Sequence, residues 1–170
     1  MACGFSQKEG IAYEETFVAV AKHTSIRTIL DMDAVMKWKI DQMDVKTTFL
    51  NVVVEEELYV EKPLRFERHD MQTHVCKLKK VLYGLKQAPR TWYDIMNSFL
   101  ISQEFTKSKL DSKIYFKVEG GRSMMLLLYV DDLFLIGEDE LIKDARRILA
   151  TEFKMKYLGM MHYFLGMEVW

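Results

Sequence analysis

The feature that constrains this chain most is a long apolar stretch interrupted only by two adjacent carboxylates. The runs Met124 to Val130 and Leu133 to Ile136 are apolar, and Asp131 and Asp132 lie between them. This pattern predicts a buried β-hairpin with the acidic pair at its tip. Adjacent carboxylates beside a buried strand repel each other, and a divalent cation neutralises them best. A short Asp-Asp match also occurs in ordinary exposed turns, so the pair alone leaves both interpretations open.

The rest of the periodicity predicts an α+β fold, with an antiparallel sheet covered by helices on one face. The first predicted helix begins at Thr24 or Ser25 and has Ile26, Ile29 and Leu30 on one face. The second follows Pro89, and its predicted core stripe is Trp92, Ile95, Met96, Phe99 and Leu100. The third is predicted over Ile142 to Phe153. Further strands are expected at Trp38 to Val45, Leu58 to Val60, Ile114 to Val118 and Tyr163 to Val169. The Gly pair in Glu119-Gly120-Gly121-Arg122 supplies the positive backbone angles of a hairpin turn.

Composition narrows the class of protein without naming a partner. The chain has 170 residues, 49% of them hydrophobic, which is enough for a folded core. Lys and Arg number 24 against 25 Asp and Glu, a balance that argues against a uniformly basic nucleic-acid wrapper. Cys3 and Cys76 lie far apart, so neither a disulfide framework nor a zinc site is indicated. There is no signal peptide and no apolar run long enough to span a bilayer, so we expect an intracellular chain with no membrane partner.

A second carboxylate gives the acidic tip a chemical interpretation. Asp44 lies at the end of a predicted strand, and two strands of one sheet can bring it beside Asp131. Three converging carboxylates would suit Mg²⁺, which takes one or two of them and fills its remaining positions with water and substrate phosphates. Two such ions about 3.5–4 Å apart can clamp an in-line displacement at phosphorus.

Three segments in this order resemble successive reverse-transcriptase motifs of the copia type of LTR retrotransposon. They are Asp44 with the residues after it, Leu82-Tyr83-Gly84-Leu85-Lys86-Gln87-Ala88-Pro89-Arg90, and Tyr129-Val130-Asp131-Asp132. The resemblance runs nearly end to end, because it also includes Gly4-Phe5-Ser6-Gln7, Tyr13-Glu14-Glu15-Thr16-Phe17 and Leu165-Gly166-Met167-Glu168.

The resemblance implies an RNA-directed DNA polymerase that transfers nucleotides to a primer 3′-OH by two-metal chemistry. Its fold would be a ferredoxin-like polymerase palm with partial fingers and no thumb, as one fragment over residues 1–170. Its cofactors would be two Mg²⁺ ions, with Mn²⁺ as a substitute. Its partners would be an RNA/DNA template-primer and deoxynucleoside triphosphates, in the cytoplasm and, for an intact element, in a virus-like particle. Oligomeric state stays open.

The same resemblance assigns roles to individual residues. The metal would be held by Asp44, Asp131, Asp132 and the carbonyl of Val45, with direct ligation by Asp132 the least certain. The nucleotide would contact Phe49, Gly84, Lys86, Gln87 and Tyr129, with the Phe49 ring excluding a ribose 2′-OH. Primer and template would contact Pro89, Arg90, Leu165, Gly166 and Met167. From sequence alone Phe49 is equally well a core aromatic and Arg90 equally well a plain surface cation, whereas a lone Lys such as Lys86 is usually just solvated.

Several positions depart from the family pattern and weaken the expectation of activity. A basic fingers segment would precede Gly4, Val18-Ala19 replaces Ser-Pro, Val52 replaces Gly, and Leu64-Arg65 replaces Glu-Gly. Without the fingers cations, triphosphate charge loses compensation worth several kcal/mol. We therefore expect a fragment or decayed copy that could be catalytically silent and at most bind nucleic acid or a partner. A nucleotide cyclase is a weaker alternative, and the Gly84 to Pro89 string argues against it.

Overall fold

The structure, a computed structural model, describes residues 7, 21–46, 57, 59–60, 75–80, 82–164 and 167–168. The chain divides into two compact units, one of residues 1–17 and 47–92 and the other of residues 18–46 and 93–170. The predicted Leu58, Phe49, Leu165 and Gly166 lie outside the described residues.

The described residues form an α+β structure, as the sequence predicts. The helices are α1 (His23–Met36), α2 (Ala88–Ser102) and α3 (Asp139–Phe153). The strands are β1 (Lys39–Val45), β2 (Tyr59–Val60), β3 (Cys76–Lys77), β4 (Thr106–Lys107), β5 (Ile114–Glu119), β6 (Arg122–Tyr129), β7 (Asp132–Gly137), β8 (Met155–Met160), β9 (Tyr163–Phe164) and β10 (Met167–Glu168).

The main sheet belongs to the second unit and has the strand order β4-β5-β6-β7-β1-β8. Every neighbouring pair is antiparallel. β1 is the first strand in the chain, yet it lies between β7 and β8, which come much later in the sequence. This insertion brings the end of β1 next to the tip of the β6–β7 hairpin.

Both hairpin turns predicted within the sheet are confirmed. Gly120 and Gly121 have φ angles of 59° and 78° and join β5 to β6, where Glu119 pairs with Arg122. Positive φ at both central residues is the geometry that two-residue hairpin loops favour, and glycine adopts it without steric cost. The second turn lies between β6 and β7 and carries the acidic pair.

The prediction that helices cover one face of the sheet is wrong. Ile26 and Ile29 of α1 pack with Ile40, Phe134 and Ile136, which alternation places on one face. Helix α3 lies against the opposite face, where Arg146 reaches Asp41 of β1. The reason is in the sequence of β6 and β7, which is continuously apolar rather than alternating, so both faces exclude water.

The helix after Pro89 is confirmed, with Pro89 in its first turn. Trp92, Met96 and Leu100 of the predicted stripe are buried, whereas Ile95 is exposed. The Phe99 ring meets the Phe153 ring of α3 edge to face at 4.9 Å between centroids. Aromatic pairs favour this arrangement, which ties α2 to α3.

Two predictions near the end of the chain are corrected by the structure. β8 was not predicted, because Met155 to Met160 does not alternate and contains Gly159, a strand-weakening residue. The predicted closing strand from Tyr163 to Val169 is wrong, since residues 163–164 and 167–168 form two short strands paired with each other.

Candidate active site

The acidic pair lies at a two-residue turn. β6 ends at Tyr129 and β7 begins at Asp132, and these residues pair across the hairpin, leaving Val130 and Asp131 as the turn. Of the two turn residues only Val130 has a positive φ, 54°. Two-residue turns of this kind favour Gly at the first position, and a β-branched side chain there is strained. The turn that carries the carboxylates is therefore strained at Val130.

The insertion of β1 brings the third predicted carboxylate to this turn. Asp44 pairs directly with Asp132 in the β1–β7 register. One residue further on, the Val45 amide donates a hydrogen bond of 3.2 Å to the Asp131 carbonyl. Directly opposed residues project from the same face of a sheet with their Cβ atoms about 4.5–5.5 Å apart. The predicted approach of β1 to the acidic tip is thus present in the backbone.

Asp132 carries the clearest electrostatic signature of the site. Burial raises the pKa of the Asp132 carboxyl above its ordinary value, the hydrogen bond from Gln42 opposes that shift, and the negative charge of Asp44 adds to it. Gln42 Nε2 donates to Asp132 Oδ1 at 3.0 Å. Asp44 and Asp132 are therefore close enough to repel each other. Oδ1 of Asp131 is buried in the same turn.

Among the described residues, Asp44 lies opposite Asp132 and Val45 meets the Asp131 backbone, but the three carboxylate side chains do not converge on one ion. Within the described residues, no group of three or more His, Cys, Asp or Glu side chains is arranged to hold a metal ion. The donor types nevertheless fit Mg²⁺, which needs only one or two carboxylates and completes its shell with water and carbonyl or phosphate oxygen.

Sequence reasoning missed two neighbours of this carboxylate pair. Gln42 lies two residues before Asp44 and orients Asp132. Lys156 of β8 pairs with Asp44 on the side away from Asp132, so a cation flanks the pair. The alternation of β1 could have marked Gln42, since it shares the face of Asp44. Lys156 could not be found, because β8 itself was not predicted.

The Gly84 to Arg90 string belongs to the first unit and is described by itself. Gly84 has a φ of 96°, and the Leu85 amide donates to the Leu82 carbonyl at 3.3 Å. Gln7 holds the next two residues, because its Oε1 accepts from the Lys86 amide at 2.9 Å and its Nε2 donates to Gln87 Oε1 at 3.0 Å. Sequence reasoning gave Gln7 no role.

The burial of the other predicted contact residues is uneven. Gln87 is buried, Lys86 and Pro89 are half-buried, and Arg90 is exposed. Tyr129 is half-buried at the edge of the core that α1 covers. The backbone of Met167 pairs with that of Phe164. The roles assigned to these residues stay predictions.

The described part of the chain contains no helix long and apolar enough to cross a membrane.

Comparison with known proteins gives the class of protein to which this sheet and its paired carboxylates belong. The chain belongs to the family described as reverse transcriptase (RNA-dependent DNA polymerase), whose model matches residues 1–170. The family predicted from the sequence motifs is therefore confirmed.

The relatives are transposon polyproteins. The chain is 46% identical over 168 residues to the retrovirus-related Pol polyprotein from transposon TNT 1-94 of Nicotiana tabacum, covering 98% of this chain and 13% of that protein. It is 38% identical over 169 residues to the corresponding polyprotein from transposon RE2 of Arabidopsis thaliana, covering 99% and 12%. A putative transposon Ty5-1 protein of Saccharomyces cerevisiae is 33% identical over 128 residues, covering 75% and 42%.

The chain thus spans 12–13% of the length of the plant polyproteins that it matches. Its likeness to them supports the copia-type assignment made from the motifs. No solved structure matches this chain.

Proposed function

We propose that this chain is the palm, with part of the fingers, of an RNA-directed DNA polymerase of a copia-type retrotransposon, and that it adds deoxynucleotides to a primer 3′-OH. The observation that carries the proposal is the placement of Asp44 opposite Asp132, with Val45 hydrogen-bonded to Asp131. The family resemblance implies catalytic carboxylates at these positions, and their adjacency in the sheet supports the proposal.

The strand order supports the palm assignment. The path β1-α2-β6-β7-α3-β8 is strand-helix-strand-strand-helix-strand, and β1 lies between the third and fourth strands of that path. This is the connectivity of a ferredoxin-like βαββαβ unit. β4 and β5 extend the sheet beyond β6. In such a sheet the first strand ends beside the tip of the central hairpin, and this is where we propose the site.

Two divalent cations, Mg²⁺ or Mn²⁺, are the proposed cofactors. Asp44, Asp131, Asp132 and the Val45 carbonyl would hold them, and the bound metal would supply charge neutralisation and activation of the primer hydroxyl. The repulsion between Asp44 and Asp132 is the electrostatic condition that a cation relieves.

The side chains around the carboxylates have positioning tasks that do not depend on the metal. Gln42 fixes one oxygen of Asp132 through its 3.0 Å hydrogen bond, which leaves the second oxygen for a ligand. Lys156, exposed beside Asp44, adds positive charge at the edge where a triphosphate would approach.

The family resemblance is also the basis for the substrates and partners that we propose. We propose that deoxynucleoside triphosphate contacts Phe49, Gly84, Lys86, Gln87 and Tyr129, and that an RNA/DNA template-primer contacts Pro89, Arg90, Leu165, Gly166 and Met167. The proposed location is intracellular, in the cytoplasm or the virus-like particle of an intact element.

Primer extension tests the activity. A DNA primer annealed to an RNA template would be incubated with the protein, deoxynucleotides and Mg²⁺ or Mn²⁺. Asp131→Asn should lower product on the order of 100-fold or more, as loss of a charge-stabilising group at a phosphoryl-transfer site does. The control Asp144→Asn removes an exposed carboxylate of α3 and should leave product unchanged.

Product that is insensitive to Asp131→Asn would refute the site. Wild-type protein that yields no metal-dependent product would support the alternative function, a catalytically silent remnant that binds nucleic acid or a partner.

A further inference from the structure

We propose that Asp41, Arg146 and Tyr157 form a positioning cluster that fixes the register of β1 and so holds Asp44 opposite Asp132. Its catalytic consequence rests on the proposed function, but its structural effect is measurable without activity. The cluster lies on the face of the sheet opposite to the candidate active site, because Asp41 is three residues before Asp44 in β1.

The contacts within the cluster use every polar atom of the Asp41 carboxylate. Arg146 Nη1 donates to Asp41 Oδ2 at 3.0 Å, and the Tyr157 hydroxyl donates to Asp41 Oδ1 at 3.0 Å. The Arg146 guanidinium also stacks on the Tyr157 ring, 3.5 Å from its centroid. Asp41 is only 6% exposed, so its charge depends on these two partners.

The cluster joins three separate elements. Asp41 is in β1, Arg146 is in α3, and Tyr157 is in β8. Helix α3 also packs on β6 and β7, the strands that carry the acidic turn. Movement of β1 along β7 would therefore draw Asp41 away from Arg146. A slip by one residue would turn Asp44 to the other face of the sheet and away from Asp132.

The cluster lies where the pairing of β1 with β8 is irregular. Gln42 pairs with Gly159, whereas Met43 pairs with Tyr157, so Leu158 is bulged between them. Gly159 has a φ of 100° at this bulge. The irregularity falls between Asp41 and Asp44, and the hydrogen bond from Tyr157 to Asp41 spans it. The cluster therefore adds a side-chain constraint to the regular backbone pairing of β1 with β7.

A buried ion pair adds little net stability, since the cost of removing both charges from water offsets their attraction. What such a pair supplies best is discrimination against alternative registers, because a slipped strand leaves the charge buried and uncompensated. Asp41 and Arg146 have side chains 9% and 31% exposed, so this penalty applies mainly to Asp41. We infer that the cluster serves register rather than overall stability.

Amide hydrogen exchange at Val45 tests this inference directly, since that amide bonds to the Asp131 carbonyl across the β1–β7 pairing. In the variants Arg146→Gln and Tyr157→Phe, the Val45 amide should exchange at least about tenfold faster relative to the Leu126 amide in the core. This is the factor expected when a hydrogen bond to a charged group is lost. A purely structural role would accelerate both amides together.

Arg147→Gln is the matched control, because Arg147 is the next residue of α3 and pairs only with solvent-exposed Asp144 in the described contacts. It should leave the ratio of Val45 to Leu126 exchange at its wild-type value. An unchanged ratio in Arg146→Gln would overturn the inference. That outcome is distinct from failure of the proposed function, which is read from primer extension by the wild-type protein.

Discussion

The charged form of the Asp132 carboxyl is less favourable in the folded protein than in the unfolded chain. Its pKa is raised by burial and by Asp44, so the folded state favours the protonated form. For a carboxyl with a raised pKa, stability falls as the pH rises through the unfolded pKa towards the folded one. Asp132 therefore destabilises the protein at neutral pH and not in acid.

We predict that Asp132→Asn stabilises the protein at pH 7. Asn keeps an oxygen that accepts from Gln42 and removes the repulsion by Asp44. The free energy of unfolding should rise by less than about 1 kcal/mol because solvent screens this half-buried group. Urea denaturation at pH 7 and below pH 4 measures the effect, which should vanish at the lower pH. A stabilisation that persists in acid would contradict this electrostatic origin.

Val130 provides a second prediction at the scale of one residue. Its φ of 54° costs a β-branched residue about 1–2 kcal/mol, whereas glycine adopts it freely. After the entropy cost of glycine in the unfolded chain, Val130→Gly should raise the free energy of unfolding by about 0.5–1 kcal/mol.

The control for Val130 is Val118→Gly in β5, an exposed strand position with ordinary φ. It should lower the free energy of unfolding by about 1 kcal/mol in the same urea titration. Equal losses in both variants would show that the turn is not strained.

The individual carboxylates were predictable from sequence, and among their neighbours only Gln42 carried a signal, through the alternation of β1. Asp131 and Asp132 stand out because charge interrupts an apolar run, and Asp44 because it ends a strand. Lys156 beside Asp44, and in the other unit Gln7 beside Lys86, give no such signal, since a cation or an amide in polar surroundings is ordinary surface composition. Only pairing across strands and loops reveals what they contact.

At the scale of elements, the close approach of β7 to β6 depends on Gly137. A Cβ at this position would lie 2.5 Å from the Ser123 carbonyl oxygen and 2.6 Å from Met124 Cα, and the φ of 142° is itself strained for other residues. We predict that Gly137→Ala lowers the free energy of unfolding by about 3 kcal/mol, because backbone atoms cannot move aside cheaply.

Gly121→Ala is the comparison for Gly137, since nothing lies within 4 Å of an added Cβ there and only its φ of 78° is unfavourable. It should cost about 1 kcal/mol in thermal or urea unfolding. Similar losses for the two variants would mean that β6 and β7 do not meet as closely as described.

Strand and helix prediction succeeded where periodicity was strong. The helices after Pro89 and over residues 142–153 and the two hairpins have long apolar patterns, and all are present. The prediction missed β8 because a bulge at Leu158 breaks the alternation of this strand. Helix α1 lies on the face of the sheet opposite to α3 because β6 and β7 are apolar on both sides and need cover on both faces. The continuous apolar runs of these two strands are the sequence signal for that arrangement.

At the scale of the whole molecule, the sequence motifs identified the family, because several short matches occur in one order between Gly4 and Glu168. The family model matches residues 1–170. The sheet order could not be obtained that way. β1 inserts between β7 and β8, a long-range pairing that no local pattern encodes. That insertion brings separated carboxylates into one candidate site, and the proposed activity depends on it.

Paramagnetic relaxation by Mn²⁺ tests this central claim most directly. In a titration followed by NMR, we predict selective broadening of the amides of Asp44, Val45, Asp131 and Asp132, reversed by excess Mg²⁺ and lost in Asp44→Asn. Broadening centred on the acidic start of α3, Glu138 to Glu140, or broadening that persists in Asp44→Asn, would contradict the account.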